Sequence, residues 1–252
     1  MIQQQLPKRK EPMKILDSII LVTGANRGIG LALVEKSLEK GAAKVYATYR
    51  SENNRSMLNE FGERVIPVHL DLGAPATIAQ LAQSVPSLNI LINNAGIMSA
   101  LSLLEDTEEQ LHNDIETNFF GTLAVTKVLL PALKTESSAA IVNVASIASL
   151  AAMPSLGGYS ASKAAVHSMT QSIRSELKAD GIPVHGVYPG PVATRMTEGY
   201  DMELTPALVV AEKILEDIEN GVEEIFPDAM SQQTGPLFLS SPKKLEQNFA
   251  SF

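Results

Sequence analysis

The sequence predicts an α/β fold built on a doubly wound parallel sheet, and two observations support this prediction. From Ser18 onward, short apolar runs rich in β-branched residues alternate with longer segments in which apolar residues recur at helical spacing. The chain also has 252 residues, of which 45% are hydrophobic, enough to fill the core between one sheet and its helices. No internal repeat or change of composition divides it. We therefore expect a single domain over 15–252, after a flexible head over 1–14.

About seven runs are predicted to be the parallel strands of this sheet, with helices on both of its faces. In chain order the strands are expected at 19–22, 44–49, 65–70, 90–92, 140–146, 184–187 and 223–226. Apolar spacing predicts the main helices over 28–40, 107–133 and about 159–180. Pro75 suits the first turn of a further helix. Thr205 and Pro206 suit the N-cap and first position of a helix that ends near 220, and few signals follow 228.

Composition and charge exclude several classes of function. Without cysteine, the chain forms no disulfide and performs no thiolate chemistry. The histidines, His69, His112, His167 and His185, are far apart and show no metal-ligand spacing, so we expect no metal site. The formal net charge of −8 makes nucleic acid an unfavourable partner. No apolar run reaches the ~18 residues of a membrane-spanning helix, and the polar start shows no secretory signal, so we expect a cytoplasmic protein.

A glycine-rich turn joins the first predicted strand to the first predicted helix. It reads Thr-Gly-Ala-Asn-Arg-Gly-Ile-Gly from Thr23 to Gly30, with its glycines spaced Gly-x-x-x-Gly-x-Gly. Glycine lets the backbone approach a pyrophosphate closely, and the N-terminus of the following helix favours negative charge. The strand-turn-helix context therefore predicts a dinucleotide site. Glycines that only form a tight turn are the alternative.

Two arginines near this turn bear on which dinucleotide binds. Arg27 lies within the turn, and Arg50 follows the second strand, where an NAD-selective site usually places Asp or Glu on the ribose hydroxyls. Guanidinium groups instead grip a phosphate through charge-assisted hydrogen bonds. Arg27 and Arg50 therefore predict NADP(H), with the 2′-phosphate held by both. The alternative is that either arginine is a solvated surface charge.

Tyr159 and Lys163 are four residues apart, so a helix places them on one face, one turn from each other. A lysine ammonium stabilises a phenolate and lowers a tyrosine pKa from its usual value near ~10, which suits the phenol to proton transfer near neutral pH. Ser146, thirteen residues before Tyr159, follows the apolar run of the fifth predicted strand. The pair alone is a weak signal. Its position near a strand's carboxyl end, where parallel sheets bind ligands, strengthens it.

Together these features resemble the short-chain dehydrogenase/reductase family, of the NADP(H)-dependent carbonyl reductase type, which has a Rossmann-type fold. The resemblance covers roughly 18–194 and includes Asn-Asn-Ala-Gly at 93–96 and Pro-Gly at 189–190. It implies reversible reduction of a ketone or aldehyde, with hydride from the nicotinamide and a proton from Tyr159. Ser146 would polarise the carbonyl and Lys163 would bind the nicotinamide ribose. Asn118 would order a water that relays protons to Lys163, or would be a structural amide bonded to backbone.

The same resemblance implies the residues that hold the cofactor. Asp71 and Leu72 match the pair that contacts adenine, although Asp71 is equally suited to cap the turn before Pro75. The expected cofactor contacts are Gly24, Asn26, Arg27, Gly28, Ile29, Gly30, Arg50, Asp71, Leu72, Asn94, Ala95, Gly96, Tyr159, Lys163, Pro189, Gly190, Val192 and Thr194.

Three predicted loops surround the expected carbonyl position, and their apolar residues indicate an uncharged, largely apolar substrate. The candidate substrate contacts are Met98, Met153 and Met196, one from each loop, with Ser146 and Tyr159. Methionine also fills irregular gaps in cores, so each of the three is compatible with packing as well. Arg195 is the charged exception, which either binds an acidic substrate or faces solvent on a mobile lid.

Two other functions are compatible with the same residues. One is a ketoreductase for carrier-bound 3-oxoacyl chains, although an acidic carrier needs a basic docking surface and the net charge is negative. The other is a non-catalytic, NADP-sensing regulator, which need not keep an active tyrosine and lysine. In assembly, the helix over 107–133 and the helix after Tyr159 carry faces suited to a second copy. The family resemblance implies a homotetramer or a homodimer.

Overall fold

The predicted strands form one seven-stranded sheet in which every neighbouring pair is parallel. The computed structural model describes residues 13–99 and 101–251, without the side chain at position 54. The strands of this sheet are β1 Ile19–Val22, β2 Lys44–Tyr49, β3 Val65–His69, β4 Ile90–Asn93, β5 Ala140–Val144, β6 Val184–Val187 and β9 Glu224–Ile225. Their order is β3-β2-β1-β4-β5-β6-β9, so the chain starts near the middle and winds outwards in both directions. The doubly wound α/β fold expected from the sequence is confirmed.

Helices cover both faces of the sheet, as predicted. They are α1 Gly28–Glu39, α2 Ser56–Asn59, α3 Pro75–Ser84, α4 Glu108–Ile115, α5 Thr122–Thr135, α6 Gly157–Glu176, α7 Ala207–Glu219, α8 Ala229–Ser240 and α9 Pro242–Phe249. Two clusters of buried apolar side chains lie on opposite faces. The first cluster includes residues of α3, α5 and α6, and the second includes residues of α1 and α7. These two clusters fix the helices to both faces of the sheet.

The residues of β1 show why continuous apolar runs form the central strands. Leu21 packs into the first cluster, whereas Ile20 and Val22 pack into the second. Successive side chains of a strand point to opposite faces of the sheet. A strand that is buried on both faces therefore needs apolar residues at every position rather than at alternate ones.

The predicted helix over 107–133 consists of three consecutive segments. Thr107 caps α4 through a reciprocal pair of hydrogen bonds with Gln110. A π-helical stretch, Glu116–Gly121, then separates α4 from α5, and such stretches occur frequently at functional sites. At its end, a Cβ on Gly121 would lie 2.7 Å from the Leu72 Cβ, so glycine lets this helix approach the turn after β3.

The prediction that Thr205 and Pro206 begin a helix is wrong. These two residues form a short strand, β8, which pairs in parallel with β7, Val192–Ala193. The Thr205 N–H donates to the Pro191 carbonyl at 3.1 Å, and Pro206 has a ψ of 137°, which is extended rather than helical. Because Thr205 and Pro206 are held in this extended pairing, α7 begins only at Ala207.

The segment after 228, which carries few sequence signals, forms α8 and α9. Asp228 caps α8 through a reciprocal pair of hydrogen bonds with Ser231. Leu245 and Phe249 of α9 are buried in the first cluster. The C-terminal segment therefore belongs to the same core as α5 and α6.

Most of the predicted flexible head, 1–12, lies outside the described residues. Met13 is buried in the second cluster, and the Ile15 N–H donates to Glu219 Oε1 at 3.0 Å. The packed part of the described chain thus begins at Met13. None of the described helices is long and apolar enough to cross a membrane.

Candidate functional site

The predicted site residues converge at one edge of the sheet, beyond the carboxyl ends of β1, β4, β5 and β6. Because these strands are parallel, the loops that follow them open at the same edge. The glycine turn follows β1, the Asn-Asn-Ala-Gly segment ends β4, Ser146 lies two residues after β5, and Pro-Gly at 189–190 follows β6. Tyr159 and Lys163 lie in the first two turns of α6, which begins at this edge.

Tyr159 and Ser146 are neighbours in the site. The Ser146 hydroxyl is close enough to the Tyr159 hydroxyl to act on its pKa, and Tyr159 is buried, with 9% of its surface exposed. Burial raises the pKa of Tyr159 to about 12; the Ser146 hydroxyl opposes this rise, whereas Asp114 and Tyr200 add to it. Ser146 is fixed in turn, since its Oγ accepts from the Ala148 N–H at 3.1 Å. A protonated phenol beside a hydroxyl suits proton donation to a carbonyl oxygen.

The pKa of Tyr159 is raised overall rather than lowered, although the neighbouring Lys163 leads one to expect a lowering from the sequence. Lys163 Nζ donates to the Val144 carbonyl at 2.9 Å and lies 5.8 Å from the centre of the Tyr159 ring. Burial lowers the pKa of Lys163 to about 8, and the charge of Asp114 acts in the opposite direction. For both residues the loss of hydration on burial is the largest cause of the shift. The expected lowering of the Tyr159 pKa is therefore corrected to a rise.

Asn118 lies in the π-helical stretch, and both ends of its amide are hydrogen-bonded. Its Oδ1 accepts from the Ile97 N–H at 2.8 Å, and its Nδ2 donates to the Ile97 carbonyl at 2.9 Å and to Ser162 Oγ at 2.8 Å. A Cβ on Gly96 would lie 3.1 Å from Asn118 Oδ1 and 3.2 Å from Lys163 Nζ. Asn118 therefore holds the loop after β4 close to Lys163. Its predicted role in ordering a water stays a prediction.

The turn between β1 and α1 shows the close backbone approaches that a pyrophosphate site needs. Gly24 has a φ of +63°, and a Cβ there would lie 3.0 Å from the Ala95 Cα. A Cβ on Gly30 would lie 2.2 Å from the Gly24 carbonyl oxygen. Asn94 Nδ2 donates to the Thr23 carbonyl at 2.9 Å and to the Gly24 carbonyl at 3.3 Å. The glycines and Asn94 thus form one compact turn. Within it, Gly24 needs a positive φ and Gly30 has no room for a Cβ.

Three exposed arginines lie around this turn: Arg27, Arg50 and Arg195. Among the described residues, none of the three forms an ion pair with a carboxylate. Partial burial lowers the pKa of Arg27, and the neighbouring charges of Arg195 and Arg50 lower it further. Thr194, beside Arg195, covers the turn, with its Cγ2 3.1 Å from the position of a Cβ on Gly28. Positive charge without a carboxylate partner at a glycine turn fits a multiply charged phosphate.

Asp71 and Leu72 have clear structural contacts. Asp71 Oδ1 accepts from the Gly73 N–H at 3.0 Å, and Thr77 Oγ1 donates to the Asp71 carbonyl at 2.9 Å. Leu72 is buried against Gly121. These contacts agree with the interpretation that Asp71 caps the turn before α3. Contact of the pair with adenine stays a prediction.

Asp228 is a residue at the site's edge that the sequence analysis missed. Its side chain is buried, and its Oδ2 accepts from the Gly190 N–H at 2.7 Å while its Oδ1 accepts from the Ser231 N–H at 2.9 Å. One carboxylate therefore caps α8 and holds the Pro189-Gly190 turn. The spacing Asp228-x-x-Ser231, which is typical of a helix N-cap, is the signal that would have located it.

The predicted substrate methionines lie in different environments. Met153 is buried in the first cluster, Met98 is half-buried against that cluster, and Met196 is 41% exposed. The position of Met153 favours its interpretation as a packing residue. The loop over 101–104 is a further part of the site's rim that the sequence did not indicate, since Leu103 lies against Gly157 at the start of α6. The leucines at 101, 103 and 104 are all exposed.

The groups gathered at this edge are a phenol, a hydroxyl, an ammonium and an amide. Such a set can donate hydrogen bonds, and finally a proton, to an oxygen that gains negative charge. Within residues 13–99 and 101–251, no three His, Asp or Glu side chains are grouped so as to hold a metal ion.

Known proteins resemble this chain over most of its length. Residues 18–204 match the family model of the short chain dehydrogenases. An uncharacterised oxidoreductase of Staphylococcus epidermidis is 31% identical over 192 residues, which cover 75% of this chain and 84% of the relative. A short chain dehydrogenase from Burkholderia cenocepacia, solved in complex with NADP, is 34% identical, with a TM-score of 0.87 and coverage of 94% and 99% of the two chains. A short chain dehydrogenase/reductase from Burkholderia phymatum, solved with NAD, shares the fold at 24% identity and a TM-score of 0.79, covering 92% and 93%.

Proposed function

Because the chain belongs to the short-chain dehydrogenase family and is thereby an oxidoreductase, we propose that it reduces an uncharged, apolar ketone or aldehyde to the alcohol, reversibly, with NADP(H). The observation that carries this proposal is the placement of buried Tyr159 beside Ser146, with buried Lys163 one turn further along α6. A tyrosine with only a packing role would not need a neighbouring hydroxyl and a buried ammonium at the edge of the sheet where the glycine turn lies.

The residues of this chain act on the substrate oxygen, while the nicotinamide, when bound, supplies the hydride. Ser146 Oγ donates a hydrogen bond to the carbonyl oxygen and polarises it. Tyr159 transfers its proton to that oxygen as negative charge develops there. Lys163, in its ammonium form, stabilises the phenolate that remains. Asn118 keeps the loop after β4 in place beside Lys163.

The choice of NADP(H) is supported by the arginines. Arg27 and Arg50 would hold the 2′-phosphate, and Arg195 adds a third positive charge on the same side of the site. This position argues against the alternative that Arg195 binds an acidic substrate. The relative from Burkholderia cenocepacia was solved with NADP, which agrees with the same choice.

An apolar substrate is supported by the rim of the site. Two segments contribute exposed apolar residues: the loop over 101–104 and the loop over 196–202. Leu104 is 96% exposed, and Met196, Tyr200 and Met202 are each about two fifths exposed. A sugar or phosphorylated substrate would instead need paired polar or basic groups at these positions.

A substrate panel tests the proposed function. The purified chain is mixed with NADPH or NADH and with aryl ketones, alkyl ketones, a keto acid and a 3-oxoacyl thioester, and the absorbance of the reduced nicotinamide is followed. We expect the highest kcat/KM with NADPH and an apolar ketone. A clear preference for the thioester would favour the carrier-bound ketoreductase instead. Tight NADPH binding without turnover of any carbonyl compound would favour a regulator.

Replacement of Arg50 by Asp is expected to move the cofactor preference towards NADH. A charge-assisted hydrogen bond to the 2′-phosphate contributes about 1.5–3 kcal/mol, so the NADPH/NADH ratio of kcat/KM should fall at least about tenfold. Lys178→Asp is the matched control, because Lys178 is exposed beyond the opposite end of α6. Equal use of both cofactors by the parent, or an unchanged ratio in Arg50→Asp, would contradict the assignment.

The assembly of the chain into a homodimer or homotetramer is also a prediction. Phe120 is half exposed on the π-helical stretch, and Ala161 and Ala164 are exposed on α6. Apolar and small residues on these faces suit close packing against a second copy. Light scattering at micromolar concentration is expected to give a mass of at least two chains, and Phe120→Glu should reduce it. A monomer for the parent would contradict the prediction.

A further inference from the structure

Asp228 joins the C-terminal segment to the loop after β6. The strands β6 and β9 are parallel neighbours, so the residues that follow them lie side by side at the same edge of the sheet. Gly190 comes three residues after the end of β6, and Asp228 comes three residues after the end of β9. Asp228 is buried, with 3% of its surface exposed. Since a buried carboxylate is costly without hydrogen-bond donors, its partners show what it is there for.

The two oxygens of this carboxylate have different partners. Oδ1 accepts from the Ser231 N–H at 2.9 Å, and Oδ2 accepts from the Gly190 N–H at 2.7 Å. The first contact caps α8, and Asn or Ser at position 228 would cap the helix about as well. The second contact is not part of the cap. Because neither Asn nor Ser offers two acceptor oxygens, the contact with Gly190 is the one that calls for a carboxylate.

The peptide bond between Pro189 and Gly190 is held from both sides. Its N–H, that of Gly190, donates to Asp228, while its carbonyl, that of Pro189, accepts from the Ile147 N–H at 3.0 Å. A Cβ on Gly190 would lie 2.7 Å from Asp228 Oδ1, so the missing side chain lets the carboxylate approach. Rotation of this peptide plane would break both hydrogen bonds, so its orientation is fixed.

This peptide lies beside the group that is proposed to polarise the substrate carbonyl. Ile147 directly follows Ser146, and Ser146 Oγ lies 3.5 Å from the Pro189 carbonyl oxygen. The loop therefore begins at the end of the site where hydride transfer is proposed. Four of the expected cofactor contacts belong to it: Pro189, Gly190, Val192 and Thr194.

We propose that Asp228 is a positioning residue, whose carboxylate fixes the Pro189-Gly190 peptide and thereby the loop that receives the nicotinamide half of NADP(H). This inference rests on the proposed function, which assigns the cofactor to this loop. The hydrogen bond itself belongs to the protein without cofactor. Asp228 lies beyond residues 18–204, which match the family model, so the C-terminal segment contributes to the site through this one side chain.

Asp228→Asn separates the two contacts of the carboxylate. The asparagine oxygen still caps α8, whereas its NH₂ group faces the Gly190 N–H, and two donors form no hydrogen bond. Ser231→Ala is the matched control, because it removes the hydroxyl that accepts from the Asp228 N–H at 3.0 Å but keeps both carboxylate contacts. Asp228→Ser, which caps a helix without reaching Gly190, is the second variant if Asp228→Asn does not fold.

The contact is first measured in the protein without cofactor, as amide hydrogen exchange at Gly190. Pro189-Gly190 is the only Pro-Gly pair in the sequence, so proline labelled with ¹³C at its carbonyl and glycine labelled with ¹⁵N mark this one peptide bond for NMR. Exchange in Asp228→Asn should be at least about tenfold faster than in the parent, and in Ser231→Ala within about threefold of it. Equal exchange in the parent and in a folded Asp228 variant overturns the proposal.

The consequence for the cofactor is measured as the affinity of the full chain for two ligands. Adenosine 2′,5′-bisphosphate carries the adenine and the 2′-phosphate of NADPH but no nicotinamide. Asp228→Asn should weaken NADPH binding at least about tenfold and bisphosphate binding no more than about twofold, whereas Ser231→Ala should leave both nearly unchanged. An equal loss for both ligands, or a loss for neither, overturns the proposal. If the parent binds NADPH but reduces no carbonyl compound, the proposed function fails while the two affinities still decide the role of Asp228.

Discussion

Replacing Tyr159 by Phe is expected to lower kcat for ketone reduction by at least about a hundredfold, the usual contribution of a general acid. The phenol is buried and protonated and lies beside Ser146, so its hydroxyl is placed to give a proton to the substrate oxygen. Phenylalanine keeps the ring and loses only this hydroxyl. The unfolding midpoint and the affinity for NADPH, measured by nicotinamide fluorescence, should therefore change little.

Tyr200→Phe is the matched control for this experiment. Tyr200 is a second phenol whose charge would act on Tyr159, but it is exposed and lies in the loop over 196–202. Its loss should change kcat by no more than a few-fold. Turnover of Tyr159→Phe within a few-fold of the parent, with NADPH bound normally, would remove Tyr159 from the mechanism.

Replacing Gly30 by Ala is expected to weaken NADPH binding at least about tenfold and to lower the free energy of unfolding by about 1–3 kcal/mol. The added Cβ would lie 2.2 Å from the Gly24 carbonyl oxygen and 2.6 Å from Asn94 Nδ2. The first of these is backbone, so the turn must shift rather than a side chain. Because the turn is the proposed seat of the pyrophosphate, binding and stability should fall together.

Gly73→Ala serves as the control for an added methyl group. The nearest atom to its Cβ would be Asp71 Oδ1 at 3.5 Å, which is an ordinary contact, and Gly73 is exposed. Nicotinamide fluorescence titration and thermal unfolding measure both variants. If Gly30→Ala binds NADPH as tightly as Gly73→Ala does, the glycine turn is not where the phosphates bind.

The central part of the fold could be predicted because its local signals and its tertiary contacts agree. The strands β1 and β2 begin and end at the predicted residues, since β1 is a continuous apolar run and β2 is rich in β-branched and aromatic residues. The helix start predicted at Thr205 and Pro206 was wrong because these residues pair with β7, which lies near them only in the folded chain. This pairing outweighs their propensities for the N-cap and N1 positions of a helix. The π-helical stretch could not be predicted either, because its apolar residues are spaced nearly as in an α-helix.

The site residues could be predicted from the spacing of their motifs, but their pKa values could not. The proximity of Ser146 to Tyr159 and the position of Lys163 follow from the order of the motifs on a parallel sheet. The high pKa of Tyr159 and the low pKa of Lys163 depend on burial, which arises only when α6 packs against β6, α4 and the π-helical stretch.

The most direct test of the central claim is to follow the hydride itself. NADPH that carries deuterium at the transferable position of its nicotinamide is incubated with the chain and the best ketone of the panel, and the alcohol is analysed by mass spectrometry. We expect one deuterium on the former carbonyl carbon of the product, formed at the rate of NADPH consumption and at least about a hundredfold more slowly with Tyr159→Phe. Consumption of NADPH without deuterium in the alcohol, or equal rates for the parent and Tyr159→Phe, would contradict the account.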